Sequence, residues 1–493
     1  MNKTNNIFKI LMIVLLFISQ SCSEDFLDQV PSNQQSPSSI TTVNDAELVV
    51  NGAYALMQSN SYYDATMIGS NDVRADDMQT AEYGRLQNDY FYSYSADVDF
   101  NSHIWSVPYK LIRQVNNILN FIDDIETVGD DELEQKNEIK GQALAIRALA
   151  HFDLCRLFGK PYTLDGGASL GIPIVTKVIN PDEELSRNTV AEVYNQVIKD
   201  LTDAIPLLSE DADYAKINVW AAKTLLARVY LYMEDNSNAY AVAKDIIDNS
   251  PYRLISRDSY VDSWSRESTS ESIFSIINTT TSNGGLESIP NLADPDGYAQ
   301  FIATRDLIDL IQSDPDDIRN GMLYRDATST DDVTTWGRVL KYPGIGNTKD
   351  LIVEHYENGS PLRNPSYVSN IPVFRLSEVY LIAAEAAVKS NDKANAAKYL
   401  NAIVERANPA ATVAEADVTL DRVLTERRKE LMAEGHRFFD LIRNKRDIVR
   451  SNSDRIFDPV IPLHIPYDNY KVVYPIPRSE LDANQNITQN PGY

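Results

Sequence analysis

The chain has 493 residues, of which 43% are hydrophobic and 24% are charged, and its formal net charge is −26 with an isoelectric point near 4.6. This composition allows a large buried core, but the strong negative charge argues against binding to nucleic acid or to anionic lipid headgroups. There are only two cysteines, Cys22 and Cys155, which excludes a disulfide scaffold and a multi-cysteine zinc site.

The amino terminus has the pattern of an export signal. Lys3 and Lys9 come before an apolar run at residues 10–18. The run is too short for a transmembrane helix, which needs about 20 residues, but it suits a signal peptide. A serine and then Cys22 follow, which resembles the lipoprotein box of bacteria. We therefore predict a signal peptide over 1–21 and acylation of Cys22; the alternative is an ordinary signal peptide with an incidental cysteine.

Beyond the signal, the composition divides the chain into a tether and three regions. Residues 22–43 are acidic and then rich in Pro, Ser and Gln, which predicts a flexible tether. Residues 44–254 show helical periodicity. Residues 255–370 are rich in Ser, Thr, Asn and Gly, and we predict loops there with one buried strand, SIFSII. Residues 371–493 read as a second helical region with an extended tail.

One helix in the first helical region is well marked. Apolar residues recur at steps of three and four between Ile139 and Leu157, and Gly159 follows as a terminator. Cys155 lies in this helix, so we expect a packed side chain rather than a nucleophile.

Two distant segments look alike. Residues 225–251 and 381–409 each have an alanine-rich helical pattern, a polar turn, a second alanine-rich pattern and a final proline. Ala227 in the first segment corresponds to Ala384 in the second, and such small residues allow two helices to approach closely. The pattern resembles the tetratricopeptide helix–turn–helix unit of roughly 34 residues.

The most charged helical segment is VLTERRKELMAEGHRFFDLIRNKR, at 423–446. We predict one continuous helix with an apolar stripe, whose Arg, Glu and Asp side chains pair with one another. A catalytic carboxylate pair in this helix is the alternative.

No catalytic or metal-binding motif stands out elsewhere. The five histidines are scattered, and there is no HExxH, G-x-S-x-G or Walker loop. DPDG at 294–297 has the start of a calcium loop, but the remaining ligand positions do not follow. We predict neither an enzyme nor a cofactor, and the sequence does not determine whether a structural calcium is bound.

Several stretches together resemble the SusD/RagB family of surface glycan-binding lipoproteins. They are SCSEDFLD (21–28), IWSVPYKLIRQVNNIL (104–119), IRALAHFDLCRLFGKPY (146–162), FRLSEVYLIAAEA (374–386), ERRKELMAEGHRFFDLIR (426–443) and YPIPRSELDANQNITQNPGY (474–493). These stretches span nearly the whole chain in the family's order, whereas 255–370 contains no matching motif.

The resemblance implies a mostly α-helical fold in which four tetratricopeptide-like helix pairs support a variable, loop-rich ligand lobe with a few short strands. It also implies lipid anchoring on the outside of the outer membrane, with a SusC-like TonB-dependent transporter as partner. The implied role is to capture an oligosaccharide and pass it to that barrel without catalysis. The matched stretches are mainly scaffold, so they carry no ligand residues with them.

We predict an aromatic platform as the glycan site, because a pyranose ring has apolar faces and a polar rim. The candidates are Trp264, Tyr298 and Trp336 from the variable region and Arg74, Asp76, Asp77 and Tyr83 from an amino-terminal loop. For each of them, packing or simple exposure is the alternative. Two other functions stay open: capture of a peptide or another nutrient on the same scaffold, and a surface glycoside hydrolase with carboxylates far apart in sequence.

Overall fold

The computed structural model describes residues 40–80, 84–97, 99–180, 182–324, 337–450 and 462–493. The described helices, α1 to α18 in chain order, are Val43–Met57, Thr66–Arg74, Gln87–Tyr90, Asp99–Phe121, Asp130–Phe158, Tyr162–Asp165, Val190–Ala204, Val219–Tyr232, Asn236–Asn249, Tyr260–Ser263, Ile289–Ala293, Arg305–Gln312, Lys349–Asn358, Leu376–Lys389, Lys393–Ala407, Leu420–Glu430, Arg437–Arg443 and Arg478–Ala483. Among these residues, none of the helices combines the length and the apolar character needed to cross a bilayer.

The described strands are short. They are, as β1 to β8, Met78–Gln79, Ser272–Ile276, Ile302–Ala303, Leu323–Tyr324, Arg338–Val339, Ile371–Arg375, Ile448–Val449 and His464–Ile465. They form antiparallel pairs: β1 with β3, β2 with β6, β4 with β5 and β7 with β8. The predicted fold class, mostly α-helical with a few short strands, is confirmed.

The helix α5 forms the centre of the amino-terminal half. It packs against α1, α4 and α7, and it ends at Phe158, where Gly159 is the capping residue. Cys155 is 1% exposed, and burial raises the pKa of its thiol to about 12. The prediction of a packed, unreactive cysteine is therefore confirmed.

The two predicted repeats are two helix hairpins with the same turn. Glu234 between α8 and α9 and Asn391 between α14 and α15 have nearly equal positive φ angles, 60° and 61°. The next residue in each turn, Asp235 or Asp392, caps the second helix by accepting a backbone N–H bond. Since α9 packs against α14, segments far apart in sequence lie side by side.

Small side chains and one ion pair hold these hairpins together. Four alanines of the hairpins are fully buried: Ala227, Ala239, Ala384 and Ala396. On α8, Arg228 donates two hydrogen bonds, of 2.7 and 2.6 Å, to the carboxylate of Glu378 on α14. Larger residues in place of the alanines would overpack this region. The prediction of tetratricopeptide-like helix pairs is confirmed.

The region predicted as loops with one strand is more regular than expected. The predicted strand is β2, and it pairs with β6 at the edge of the hairpin scaffold. However, α12 and α13 were not predicted, although Thr304 and Thr348 cap them. These helices have eight and ten residues, which gives too few turns for a clear periodic signal. The prediction of loops was wrong over these two stretches.

The prediction of one continuous helix over 423–446 was also wrong. The segment forms α16, which ends at Glu430, and α17, which begins at Arg437. Between them, Gly435 has a φ of 78° and approaches the backbone of Met67 so closely that a Cβ would lie 2.4 Å from its carbonyl oxygen. Only glycine fits here. Most of the charged side chains pair with other parts of the chain rather than with one another.

Glu430, at the end of α16, is the centre of a buried ionic network. Its Oε1 lies 2.7 Å from Arg375 Nη1 and 2.7 Å from Arg406 Nη2. Its backbone oxygen accepts a 2.8 Å hydrogen bond from Lys341, and Tyr260 donates to Oε1 at 3.2 Å. Burial alone would raise the pKa of Glu430, but the guanidinium groups of Arg406 and Arg375 bring it below its usual value.

We expect Glu430→Gln to lower the free energy of unfolding by about 1–3 kcal/mol, because Arg375 and Arg406 each lose one buried charged acceptor while both keep an ion pair with Glu271. Urea denaturation followed by circular dichroism measures this. The control is Lys199→Gln, which breaks an exposed pair with Asp203 and should cause no measurable change. Equal, small effects of both changes would contradict the central role of Glu430.

Candidate functional site

The turn that carries Tyr298 is fixed by backbone hydrogen bonds. The N–H of Tyr298 donates to the carbonyl of Asn291 at 3.0 Å, and those of Gly297 and Ala299 donate to the carbonyl of Asp294 at 3.1 and 3.0 Å. A Cβ on residue 297 would lie 2.2 Å from the Asn291 carbonyl oxygen, so the turn requires glycine. These bonds fix the backbone that presents the partly exposed Tyr298 ring.

Arg85 lies on the ring of Tyr298. Its guanidinium carbon is 3.7 Å from the ring centroid, and it forms an ion pair with Glu287. The backbone N–H of Arg85 donates to the side chain of Gln300 at 3.0 Å. An aromatic ring, a planar cation and a carboxylate therefore meet at one point of the surface.

The helix α13 borders the same turn on another side. The hydroxyl of Tyr356 donates to Asp294 Oδ1 at 2.9 Å, and the adjacent His355 places Nε2 2.5 Å from Asp296 Oδ2. The ring of Tyr324 lies 5.4 Å from that of Tyr356. A small cleft lies between these aromatic rings and Asp294.

We call this group of side chains the Tyr298 surface. It consists of Arg85, Glu287, Asp294, Asp296, Tyr298, His355 and Tyr356.

Two of the three carboxylates on the Tyr298 surface are paired with a basic side chain, and the third, Asp294, accepts a hydrogen bond from Tyr356. Glu287 is paired with Arg85, and Asp296 is paired with His355, whose pKa is raised chiefly by that hydrogen bond. Burial and the nearby Asp294 carboxylate raise the pKa of Tyr356, which keeps its hydroxyl protonated as a donor. Paired charges beside aromatic rings suit a neutral, hydroxyl-rich ligand. The described part of the chain contains no group of three or more His, Cys, Asp or Glu side chains placed to hold a metal ion.

The structure places Trp264 at a different cleft. This cleft lies beside β2 and the start of β6, and Trp264 lines it together with Thr269 and Asn370. The ammonium of Lys341 is 4.6 Å from the Trp264 ring centroid. The next residue, Tyr342, lines the cleft at the Tyr298 surface instead. The two predicted aromatic residues are thus not brought into one group.

Arg74, Asp76 and Asp77 lie inside the protein. Arg74 is fully buried, donates to the carbonyl of Val472 at 2.6 Å, and is covered by aromatic rings. Asp76 forms a two-point ion pair with Arg437 at 2.7 and 2.8 Å, and Asp77 lies 2.5 Å from Arg428. Since all three side chains are buried and bind residues from the other end of the chain, we assign them to joining the two ends of the chain.

Three other predicted residues, Cys22, Tyr83 and Trp336, lie outside the described residues. Their roles stay predictions.

Comparison with known proteins agrees with this architecture. Residues 25–231 match a family model described as starch-binding and associating with the outer membrane, and residues 315–493 match the SusD family model. A solved SusD superfamily protein from Bacteroides vulgatus is 38% identical, with 92% of this chain and 100% of that chain covered and a TM-score of 0.83. The chain belongs to the SusD family.

Two other relatives extend the comparison of this SusD-family protein. A solved SusD superfamily protein from Bacteroides thetaiotaomicron is 35% identical, with 91% of this chain and 100% of that chain covered and a TM-score of 0.83. The starch-binding protein SusD of Bacteroides thetaiotaomicron is 29% identical over 32% of this chain and 31% of its own length.

The sequence did not point to Arg85, His355 and Tyr356. Arg85 lies in a stretch that reads only as an aromatic loop, and nothing in the pattern separates Tyr356 from the other aromatic residues of the variable region. The threonine cap at Thr348 was the available signal, because it marks the start of the helix on which His355 and Tyr356 are neighbours.

Because Asp76 joins two ends of the chain, Asp76→Asn should weaken the fold and spare ligand binding. We expect the free energy of unfolding to fall by about 1–3 kcal/mol, since a largely buried Arg437 loses its charged acceptor. Urea denaturation measures the first effect and calorimetry on the folded variant the second. Asp97→Asn, in an exposed pair with Arg478, is the control with unchanged stability. A stable Asp76→Asn protein with impaired binding would instead indicate ligand contact.

Proposed function

We propose that this SusD-family protein is a non-catalytic lipoprotein of the cell surface, which captures a glycan and passes it to a TonB-dependent transporter of the SusC type. The observation that carries the proposal is the Tyr298 surface, where aromatic rings and polar groups adjoin a small cleft. The family description, starch-binding and associating with the outer membrane, supports it.

The chemistry of a sugar matches this surface. The C–H faces of a pyranose ring are apolar and pack on Tyr298 or Tyr356, whereas its hydroxyls can exchange hydrogen bonds with Arg85, Glu287 and Asp296. Arg85 and Asp296 are exposed, so they are available to a ligand without unfolding the turn. Because Glu287 and Asp296 each have a charged partner and Asp294 accepts a hydrogen bond from Tyr356, a neutral glycan is the ligand that suits the site.

Tyr83 and Trp336 stay proposed ligand residues, because residues next to them in sequence lie near the segment that carries Tyr298. Gly84 approaches the side chain of Gln300, two residues after Tyr298. The carbonyl of Gly337 accepts a 2.8 Å hydrogen bond from Ala303, which pairs with Met78 of β1. The residue that follows each of them, Gly84 or Gly337, thus lies close to the chain just after Tyr298.

Delivery to a membrane transporter requires an anchor and a tether. We propose that Cys22 carries the acyl chains and that residues 22–43 connect them to the helical body, with 255–370 as the ligand lobe. The first described residue, Ile40, is 6% exposed and packs in the core, so the body holds the chain firmly where the tether ends.

We expect Tyr298→Ala to raise the dissociation constant for the bound glycan roughly threefold to tenfold, because the sugar loses its aromatic contact. Isothermal titration against a panel of plant, host and microbial glycans measures this. Tyr298→Phe keeps the ring and should keep most of the affinity. Tyr470→Ala removes a 40% exposed tyrosine that packs on Tyr493 and should change nothing.

Titration against the same glycan panel can also contradict the proposal that the protein captures a glycan. No binding by folded protein would contradict it, and binding of peptides in its place would favour the alternative cargo. Release of shorter sugars from a polysaccharide would indicate a hydrolase.

Cys22→Ser should release the protein from the membrane or leave it unprocessed, because the acyl chains have no attachment point. Fractionation of cells and protease accessibility of intact cells measure this. The control is Cys155→Ser, which changes a buried thiol and should leave membrane attachment as it is. Normal surface attachment of the Cys22→Ser protein would show that the anchor lies elsewhere.

A further inference from the structure

His355 joins α13 to the turn that carries Tyr298. Its Nε2 lies 2.5 Å from Asp296 Oδ2, and its Nδ1 lies 2.5 Å from the carbonyl oxygen of Ser360. Both partners are acceptors at ordinary pH. A neutral imidazole has a single N–H and can donate to only one of them. The geometry around His355 therefore fits the doubly protonated, positively charged ring.

Asp296 belongs to the turn that sets the position of Tyr298. Its N–H donates to Asp294 Oδ1 at 3.0 Å, and the Asp294 carbonyl accepts from Gly297 and Ala299 on either side of Tyr298. The hydroxyl of Tyr356 holds the same Asp294 carboxylate. Two neighbouring residues of α13 thus hold the two carboxylates that organise this turn.

We propose that His355 is a positioning residue: its protonated ring clamps the 294–299 turn, so that the Tyr298 surface binds glycan more tightly with His355 charged than with His355 neutral. The inference rests on the proposed function of that surface. His355 acts through Asp296 and need not touch the sugar.

The groups that face His355 set the direction of the pH effect. They are the carboxylates of Asp296 and Asp294, the carbonyl of Ser360 and the ring of Tyr356. The hydrogen bond to Asp296 raises the pKa of His355 above the ordinary 6.5, against a smaller opposing effect of burial. The clamp is therefore complete below pH 6.5 and is lost as the pH rises through the raised pKa.

The first test needs no glycan. Hydrogen exchange of the backbone amides of residues 297–299, corrected for the intrinsic rate, is compared between about pH 6 and pH 8.5. We expect lower protection at the higher pH in the wild-type protein. In His355→Gln, which keeps a donor for Asp296 but does not titrate, protection should not depend on pH. The same pH dependence in both proteins would overturn the clamp.

The second test uses the glycan that binds in the panel described above. We expect its dissociation constant to rise about two- to fivefold over the same pH range in the wild-type protein and to stay constant in His355→Gln. His464→Gln is the matched control, because His464 forms a similar pair with Asp447 at 2.8 Å on β8, and it should keep the wild-type pH profile. A pH profile unchanged by His355→Gln would overturn the proposal.

The two tests distinguish a failure of the His355 clamp from a failure of the proposed glycan-binding function. If exchange at the turn follows His355 but no glycan binds, the proposed function fails while the clamp stands. If a glycan binds and Tyr298→Ala weakens it, but neither exchange nor affinity follows His355, the clamp fails while the function stands.

Discussion

The structure depends on keeping the buried carboxylate of Glu430 charged. A carboxylate without solvent is costly unless cations and hydrogen-bond donors surround it. Here the cations come from separate places: Arg375 from the end of β6, Arg406 from α15 and Lys341 from the chain after β5. Glu430 therefore contacts both the hairpin scaffold and the variable region. The variable region is built into the scaffold and is not an appendage to it.

A second pair of largely buried ion pairs involves the charged segment 423–446, which forms two helices in place of one. Arg428 pairs with Asp77 and Arg437 pairs with Asp76, although the two arginines are nine positions apart and the two aspartates are neighbours. In a continuous helix, nine positions would separate the arginines by about 13 Å along the axis. The helix is instead interrupted at Gly435, where the backbone of Met67 leaves no room for a side chain.

This is also where sequence reasoning reached its limit. The fold class, the helix over Ile139–Leu157 and the paired hairpins were predictable, because each rests on local periodicity, small residues and caps. The break at Gly435 was not predictable, because it is imposed by Met67, which lies far away in sequence. For the same reason, Asp76 and Asp77 read as loop acids although arginines from the other end of the chain neutralise them.

In the candidate site, too, a local feature could be predicted from the sequence but the long-range contacts could not. Tyr298 could be selected as an aromatic residue in a variable region, but its partners could not. Arg85 reaches it from the amino-terminal half, and His355 and Tyr356 act on it from a helix too short for its period to be recognised. The site is thus assembled from long-range contacts, whereas the turn itself is held by bonds among residues 291–299.

The ionic contacts of Glu430 and of His355 are lost in opposite directions of pH. The pKa of Glu430 is lowered by its cations despite burial, so its contribution to stability is present above its ordinary pKa of 4.5 and is lost only as the pH falls below that value. The pKa of His355 is raised by Asp296, so its contact with the turn is lost as the pH rises. A mildly acidic solution therefore leaves the scaffold network charged and the turn clamped together. Since the two groups belong to separate networks in the described structure, the position of Tyr298 can change with pH while the scaffold stays intact.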